Sequence, residues 1–409
     1  MKYQIYMLAL ILMSSTCRLK AQGYKKDEQK LKEDVHYVID QIETNYVYRS
    51  DKNVDLNCLR TSYTEAAKDV NSIQTEISLY ENLLNEFYDS HIHLNTNTQS
   101  SYRLNAPIYI SLKNGKFYIS EVWTSQIKSI NINLIGAKII SLNGETIESL
   151  IESFPSSCND KNNPNVKEWI ANKVIAGKYD EPRVLSLLTP KAKKIKFDLD
   201  TVEIRNSDSL LSSYSIDGIG VIRINNSLGN NDLIEEFDEA LYKLLNTNGL
   251  IIDLRNTISG GNTYVAKGIL SRFVKQSTPY QIHSYNEQHG NGPLIPRKWF
   301  EYVNPRGKYY SNPIVILVGR WTASMGEGLA IAFDSINTAT VVGTEMQKLA
   351  GAVNNFDFKN RDYSFQLSTE RLFHVNGMPR EKYIPEHIIR QSNRGDDEFM
   401  KKAFLLLSN

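Results

Sequence analysis

The chain has 409 residues, and 41% of them are hydrophobic, which is enough for a sizeable core in two or three domains and argues against an intrinsically disordered protein. Lysine plus arginine number 47 and aspartate plus glutamate number 46, so the net charge gives no electrostatic reason to expect a nucleic-acid partner. Beyond the N-terminus no apolar run is long enough for a transmembrane helix, so no integral membrane span is expected in the mature chain.

Residues 1–22 have the pattern of a secretory signal peptide. Lys2 provides a short positive start, the apolar run YMLALILM follows, and Ala21 is a small residue near a plausible cleavage point. Cleavage near Gln22 would export the mature chain to the periplasm, the cell envelope or the medium.

The cysteines allow two further interpretations. Cys17 leaves open a lipid anchor, although the residues before it fit a lipoprotein pattern poorly. Cys58 and Cys158 could form one disulfide in an oxidising compartment, but their spacing cannot show it.

Residues 23–100 are predicted to form an N-terminal helical region. The stretches LKEDVHYVIDQIETNY and EISLYENLLNEFY place apolar residues at helical spacing. The stretch DSHIHLNTN ends this region.

Residues 101–202 are predicted to form a β-rich domain. Two β-rich runs flank Asn114-Gly115, a strong hairpin signal. The following stretch, LIGAKIISLNGETIESLIESF, has a glycine, a short strand, an Asn-Gly turn and a helix in that order. It resembles the later half of a PDZ-like domain, which implies an exposed strand edge able to take an extended peptide. The alternative is an ordinary β-turn-helix unit.

Residues 203–409 alternate strands and helices. GIGVIRI, GLIIDLR, PIVILVG and TATVVGT are predicted strands, and LIEEFDEALYKLL, NTYVAKGILSRF and GEGLAIAFDSI are predicted helices. Continuous apolar strands joined by crossover helices predict an α/β domain whose sheet is covered on both faces.

Two strands of this domain end in stretches that could carry chemistry. Ser324 lies between the strand PIVILVG and a helix, where free backbone N–H groups are available; taken alone, its position is more typical of a helix cap than of a nucleophile. Gly260 and Gly261 follow GLIIDLR and could present N–H groups to a carbonyl oxygen. Asp253 and Arg255 in that strand end are interpreted as structural partners that hold the loop.

These paired strand ends, with IGVIRI and VVGTEMQ on either side, resemble the tail-specific, or C-terminal processing, serine protease family. The resemblance covers roughly Asp217 to His387. It implies a catalytic domain like that of Clp protease and crotonase, with Ser324 as the nucleophile. The backbone of Met325 and of the Gly260–Gly261 pair would form the oxyanion hole.

The resemblance leaves two general bases open. One branch of the family uses a lysine after the serine, and Lys348 lies near that place. The tricorn-like branch uses a histidine at the end of a helical region, and FYDSHIHLN supplies His91, with His93 as a fallback. The sequence favours His91, since histidine titrates near neutral pH. In the same branch Glu381 would orient the imidazole.

The sequence therefore predicts an exported serine endopeptidase that acts on proteins or peptides and needs no cofactor or metal. An exported binding protein on the same scaffold is the main alternative. A crotonase-type acyl-CoA enzyme is disfavoured, because CoA thioesters are intracellular.

Overall fold

The computed structural model describes residues 24–128, 134–205, 207–392 and 396–408. The predicted signal peptide and Cys17 lie outside these residues. Within them, no helix is long and apolar enough to cross a membrane.

The N-terminal region is helical, as predicted, and ends in a short strand. Its elements are α1 (Glu28–Asn45), α2 (Arg49–Lys52), α3 (Leu56–Ala66), α4 (Ile73–Asn85) and β1 (His93–Leu94). Ser72 starts α4 with a capping box, because its hydroxyl accepts from the Thr75 N–H. The apolar helix faces pack against Phe365 and Leu367, which come from the C-terminal half of the chain. This packing fixes the segment that follows α4 against the C-terminal half.

The middle region is an antiparallel sheet with two helices. Its elements are β2 (Ile108–Lys113), β3 (Lys116–Val122), β4 (Lys138–Leu142), β5 (Glu145–Thr146), α5 (Ile147–Glu152), α6 (Pro164–Ala176), β6 (Val184–Leu188) and β7 (Lys194–Asp198). The strand order is β2-β3-β4-β6-β7, and β5 pairs with β4. The predicted hairpin is confirmed, because Asn114 and Gly115 connect β2 to β3 with positive φ at both positions. Helix α6 was not predicted.

The C-terminal region contains the remaining elements. They are β8 (Leu211–Ile216), β9 (Ile219–Ile224), α7 (Leu233–Lys243), β10 (Gly249–Asp253), α8 (Thr263–Leu270), β11 (Thr278–Gln288), β12 (Leu294–Val303), β13 (Ile314–Val318), α9 (Met325–Ser335), β14 (Ala339–Gly343), β15 (Ala352–Asp357), β16 (Ser364–Phe373), β17 (His387–Ile388) and α10 (Glu398–Leu407). The order β17-β14-β13-β10-β9-β8 forms the central sheet, which is parallel except for β8. The predicted α/β alternation is confirmed over this sheet.

A third sheet connects the N-terminal and C-terminal regions. Its order is β1-β16-β11-β12, and β15 pairs with β16. The long hairpin of β11 and β12 was not predicted. Because β1 begins two residues after His91, its pairing with β16 brings that histidine to the C-terminal region.

Two covalent or aromatic links join the regions. A disulfide connects Cys58 on α3 to Cys158 before α6, which settles the pairing that spacing left open. The indoles of Trp123 and Trp321 stack with centroids 5.3 Å apart. The Trp321 Nε1–H also donates to the Ala106 carbonyl at 2.9 Å, so the stretch leading to Ser324 is braced by the middle region.

Candidate active site

Ser324 lies in the turn between β13 and α9, at the carboxyl edge of the central sheet. The neighbouring strand β10 runs parallel in register with β13, so the loop after β10 lies beside this turn. The two loops are joined by a bridge between Thr257 and Thr322. Ligands of open α/β sheets bind at this edge.

The backbone of Ser324 is strained. Its φ of 51° and ψ of −110° lie in a region that L-residues rarely adopt. The strain persists because close contacts define the turn. A Cβ at Gly326 would meet the Thr257 hydroxyl at 2.1 Å, so only glycine lets α9 approach the neighbouring loop. The turn therefore presents a half-buried serine hydroxyl in a fixed position.

His91 faces this hydroxyl. Its Nε2 lies 3.2 Å from Ser324 Oγ, and its Nδ1 lies 2.9 Å from the Ala350 carbonyl oxygen. A carbonyl can only accept, so Nδ1 carries the ring proton and Nε2 is free to accept one from the serine. Burial lowers the pKa of His91 to about 4, with a further contribution from the nearby charge of Arg380, so the ring is neutral at neutral pH.

The backbone before the imidazole is also fixed. The His91 N–H donates to Asp89 Oδ1 at 2.9 Å, and the Tyr46 hydroxyl donates to Asp89 Oδ2 at 2.7 Å. The Gln366 amide donates to the His91 carbonyl at 2.8 Å. These bonds fix the backbone of His91, and its Nδ1 is held by the Ala350 carbonyl instead of a side-chain carboxylate.

Residues 348–351 carry the carbonyl that orients His91. Ala350 O also accepts from the Ser368 hydroxyl at 2.7 Å. Buried Arg380 donates to the carbonyls of Leu349 and Gly351. The position of this backbone segment therefore sets the position of the imidazole.

Glu327 connects the two halves of the site. Its buried carboxylate accepts from the N–H groups of Ser324 at 2.9 Å, Lys348 at 2.8 Å and Leu349 at 3.1 Å. Burial raises the pKa of Glu327 to about 7, and the charge of Arg380 and these N–H groups act in the opposite direction. Sequence reasoning missed Glu327, although its Ser-x-x-Glu spacing from Ser324 is that of a capping box.

The backbone N–H groups predicted to form the oxyanion hole differ in whether they are already hydrogen-bonded within the protein. The Gly260 N–H donates to the Thr257 carbonyl at 3.0 Å, so the prediction that it faces a substrate oxygen is corrected: it closes a turn. For the part of the chain described, the N–H groups of Gly261 and Met325 have no hydrogen-bond partner. The Gly260 Cα lies close to the serine, since an added Cβ would be 3.1 Å from Ser324 Oγ.

Lys348 and Glu381 are not brought to the serine–histidine pair. The exposed Lys348 ammonium pairs with Glu345 at 2.8 Å, so the interpretation of Lys348 as a base has no support in the geometry. Glu381 Oε2 lies 3.4 Å from the Tyr48 hydroxyl. Glu381 was expected to orient the imidazole, but the group that contacts His91 Nδ1 is the backbone carbonyl of Ala350.

The remaining singled-out residues lie outside the pair. His93 lines a separate small pocket of about 80 Å³, away from Ser324. Asp253 and Arg255 form a buried bidentate ion pair, with Arg255 Nε 2.9 Å from Asp253 Oδ1. Arg255 also binds Asp397 at 2.8 Å, so this pair joins the end of β10 to the start of α10.

A cavity of about 640 Å³ adjoins the site on the side of His91. Its walls come from all three regions and include Ser90, Trp169, Trp321, Leu349, Ala350 and Glu381. Ser324 itself does not line it, so the cavity flanks the serine–histidine pair rather than containing it.

Part of the chain matches a known peptidase family. Residues 218–389 match the model of peptidase family S41. None of the curated proteins matches the chain in sequence. Among solved structures, the chain is similar to mature CPAF, with a TM-score of 0.63 and 14% identity over 93% of this chain and 96% of that one.

Two further structures show the same fold. The photosystem II D1 C-terminal processing protease gives a TM-score of 0.56 and 12% identity over 93% of this chain and 97% of that one. A putative peptidase from Parabacteroides merdae ATCC 43184 gives 0.55 and 15% over 94% and 98%. The predicted Clp-protease-like fold is thereby confirmed, and the chain carries a serine-peptidase domain of family S41.

Proposed function

We propose that the chain is an exported serine endopeptidase in which Ser324 is the nucleophile and His91 is the general base. The observation that carries the proposal is the 3.2 Å separation of His91 Nε2 and Ser324 Oγ, with the ring proton held on Nδ1 by Ala350 O. A serine hydroxyl needs such a base to attack a peptide carbonyl.

The reaction follows from these positions. Ser324 Oγ forms a bond to the carbonyl carbon while its proton moves to His91 Nε2. The N–H groups of Met325 and Gly261 would stabilise the negative charge that develops on the carbonyl oxygen. His91 then returns the proton to the leaving amine, and a water molecule releases the acyl group by the same steps.

The surroundings of the pair favour a polypeptide substrate. The adjoining cavity is large enough for several side chains and is lined by polar and aromatic groups from three regions. We assign residues 101–202 as a PDZ-like domain that flanks this cavity, because β2, β3 and β4 and the Asn143-Gly144 turn precede α5 as that resemblance requires.

Export is supported by the disulfide. A bond between Cys58 and Cys158 persists in an oxidising compartment and is rare in the cytosol. It agrees with the signal-peptide pattern of residues 1–22.

The test compares wild type with Ser324→Ala on a fluorogenic unfolded protein such as labelled casein. We expect hydrolysis to fall by at least about 10³-fold, and a fluorophosphonate probe to label wild type but not the variant. Undiminished hydrolysis by Ser324→Ala would refute the proposal. A folded wild type that neither labels nor hydrolyses would favour a binding protein on a peptidase scaffold.

A further inference from the structure

Strand β12 forms an open edge of the third sheet. Among the strands that the structure describes, only β11 pairs with it, and residues 294–298 of β12 are all exposed. Four of its large apolar side chains are between 47% and 54% exposed to solvent: Leu294, Ile295, Phe300 and Tyr302. A long apolar edge of this kind is a ready template for pairing with another chain.

A proline in β12 shows which backbone groups point outwards. Pro296 is paired with Asn286 of β11 and has no N–H, so this pair cannot be one that exchanges hydrogen bonds. The two kinds of pair alternate along an antiparallel ladder, so Lys298 and Phe300 also direct their N–H and C=O groups away from β11. No backbone group of any other described segment hydrogen-bonds to these outward groups.

The Lys298 side chain does not cover this edge. Lysine side chains often protect edge strands from pairing. Here the ammonium lies over the Phe373 ring of β16, 5.3 Å from its centroid, so the side chain extends across the sheet rather than over its edge. The outward groups of Lys298 and Phe300 are therefore accessible to an incoming strand.

A second copy of β12 fits this edge best in one antiparallel register. The outward groups of the two copies must face each other, so a twofold axis between them passes through a residue. With the axis at Trp299, Arg297 of each copy faces Glu301 of the other. An axis at Arg297, Lys298 or Glu301 would oppose two like charges, and an axis at Phe300 would leave Arg297 without a facing charge. Opposite charges stabilise a cross-strand pair and like charges destabilise it, so the axis at Trp299 is favoured.

The two facing charges are able to make this additional contact. Arg297 Nη1 lies 3.0 Å from Glu287 Oε1, but the Arg297 side chain is 56% exposed. A guanidinium has five N–H donors, so it can bind a second carboxylate. Glu301 contacts Lys267 of α8 through Oε1 and remains partly exposed.

We propose that β12 is a self-association surface, on which two copies of the chain pair edge to edge about a twofold axis at Trp299. Lys298 of each copy exchanges both N–H···O bonds with Phe300 of the other, which extends the third sheet of one copy into that of the next. The dimer does not depend on the proposed peptidase activity.

The first experiment measures the mass of the protein in solution. Sedimentation velocity of the mature chain from about 1 to 200 µM should show a reversible dimer, with the roughly micromolar Kd of a small interface. Arg297→Glu and Glu301→Arg should each raise this Kd at least about tenfold, because like charges then face each other at two places. An equimolar mixture of the two variants should restore the dimer, since every facing pair then has opposite charges. Lys113→Glu, the same kind of charge change at an exposed position of β2, is the control and should leave the Kd unchanged.

The second experiment tests the register. Trp299 would face its own copy in a pair without hydrogen bonds, whose Cα atoms lie about 4.5 Å apart, a distance that suits a disulfide. Trp299→Cys should therefore give a covalent dimer under mild oxidation. Ile295→Cys, four residues away on the same face of the strand, should not. The native Cys58 and Cys158 are already joined to each other.

Three results would overturn the proposal. They are a wild type that stays monomeric at the highest concentration, a dimer that neither charge variant weakens, and equal cross-linking of Trp299→Cys and Ile295→Cys. If the charge variants do not fold, the wild-type mass and the two cysteine variants decide. Because hydrolysis is not measured, failure here is distinct from failure of the proposed function.

Discussion

The serine turn and the histidine site differ in how the chain builds them. Ser324 and the Met325 N–H come from consecutive residues at one strand-to-helix junction. His91 comes from the end of the helical region, the carbonyl that orients it comes from Ala350, and the arginine that holds that backbone is Arg380. The proposed nucleophile is thus a local feature of the sequence, whereas the site of the proposed base is assembled from distant segments.

This difference assigns Glu327 a particular role. One buried carboxylate accepts N–H groups from the serine turn and from residues 348 and 349, so it fixes the local part of the site against the distant part. Glu327 is a positioning residue, because it acts on the reacting groups through the backbone. Variants can therefore show separately how much the proposed base, its alignment with Ser324 and its charge state each contribute to kcat/KM.

Removal of the base is expected to have the largest effect. His91→Ala leaves Ser324 Oγ without a proton acceptor, and we expect kcat/KM for peptide hydrolysis to fall by about 10²–10⁴-fold. His93→Ala is the control, since His93 lines a separate pocket. Equal losses in the two histidine variants would show that the loss comes from disturbance of β1 rather than from the missing base.

A smaller loss of kcat/KM is expected when Glu327 no longer fixes the serine turn against residues 348 and 349. Glu327→Gln keeps the shape of the side chain but replaces a carboxylate oxygen with an NH₂ group, which cannot accept from a backbone N–H. At pH 8, above the Glu327 pKa of about 7, we expect kcat/KM to fall roughly 10–100-fold, the equivalent of one hydrogen bond to a charged group. The measurement is single-turnover hydrolysis together with the rate of fluorophosphonate labelling. Full activity in folded Glu327→Gln would show that the two loops align without it.

The charge state of the base sets the pH dependence. Catalysis requires unprotonated Nε2, and burial lowers the pKa of His91 to about 4, so in Glu327→Gln, which lacks the Glu327 carboxyl, kcat/KM should stay constant down to pH 5.5 and decline only near pH 4. An exposed histidine would give a decline near pH 6.5. The same shift affects stability. Between pH 6.5 and 4 the unfolded chain binds a proton that the folded chain does not, so this contribution is complete above pH 6.5 and is lost as the pH falls towards 4.

The profile of kcat/KM from pH 3.5 to 8 checks this expectation, with circular dichroism to show that the protein remains folded. A decline near pH 6.5 would mean that His91 is hydrated in solution. In wild type, protonation of Glu327 should add a separate decline of kcat/KM near pH 7, and this decline should be absent from Glu327→Gln.

The comparison also explains what the sequence could predict. The parallel strands and their helices follow from continuous apolar runs, and the Ser324 turn follows from its position between two such elements. The Nδ1 acceptor of His91 could not be predicted, because a backbone carbonyl leaves no residue-type signal and Ala350 lies 259 residues from His91. The family resemblance implied that Glu381 would orient the imidazole, yet the Ala350 carbonyl contacts His91 Nδ1 instead. The hairpin of β11 and β12 was missed because its alternation is interrupted by polar and charged residues on exposed strands.

Lys348 offers the smallest expected effect and the clearest contrast between side chain and backbone. Its N–H donates to Glu327, while its exposed ammonium pairs with Glu345. Its φ of 62° is one that glycine adopts without strain. Lys348→Gly keeps the N–H and removes the ammonium, so kcat/KM should change less than about twofold, since an exposed ion pair contributes little. Lys348→Arg is the matched variant that keeps the charge. Lys348→Gly could instead lose as much activity as His91→Ala while Lys348→Arg stays active. That result would show that the positive charge of Lys348 takes part in catalysis, and it would contradict the assignment of His91 as the sole base.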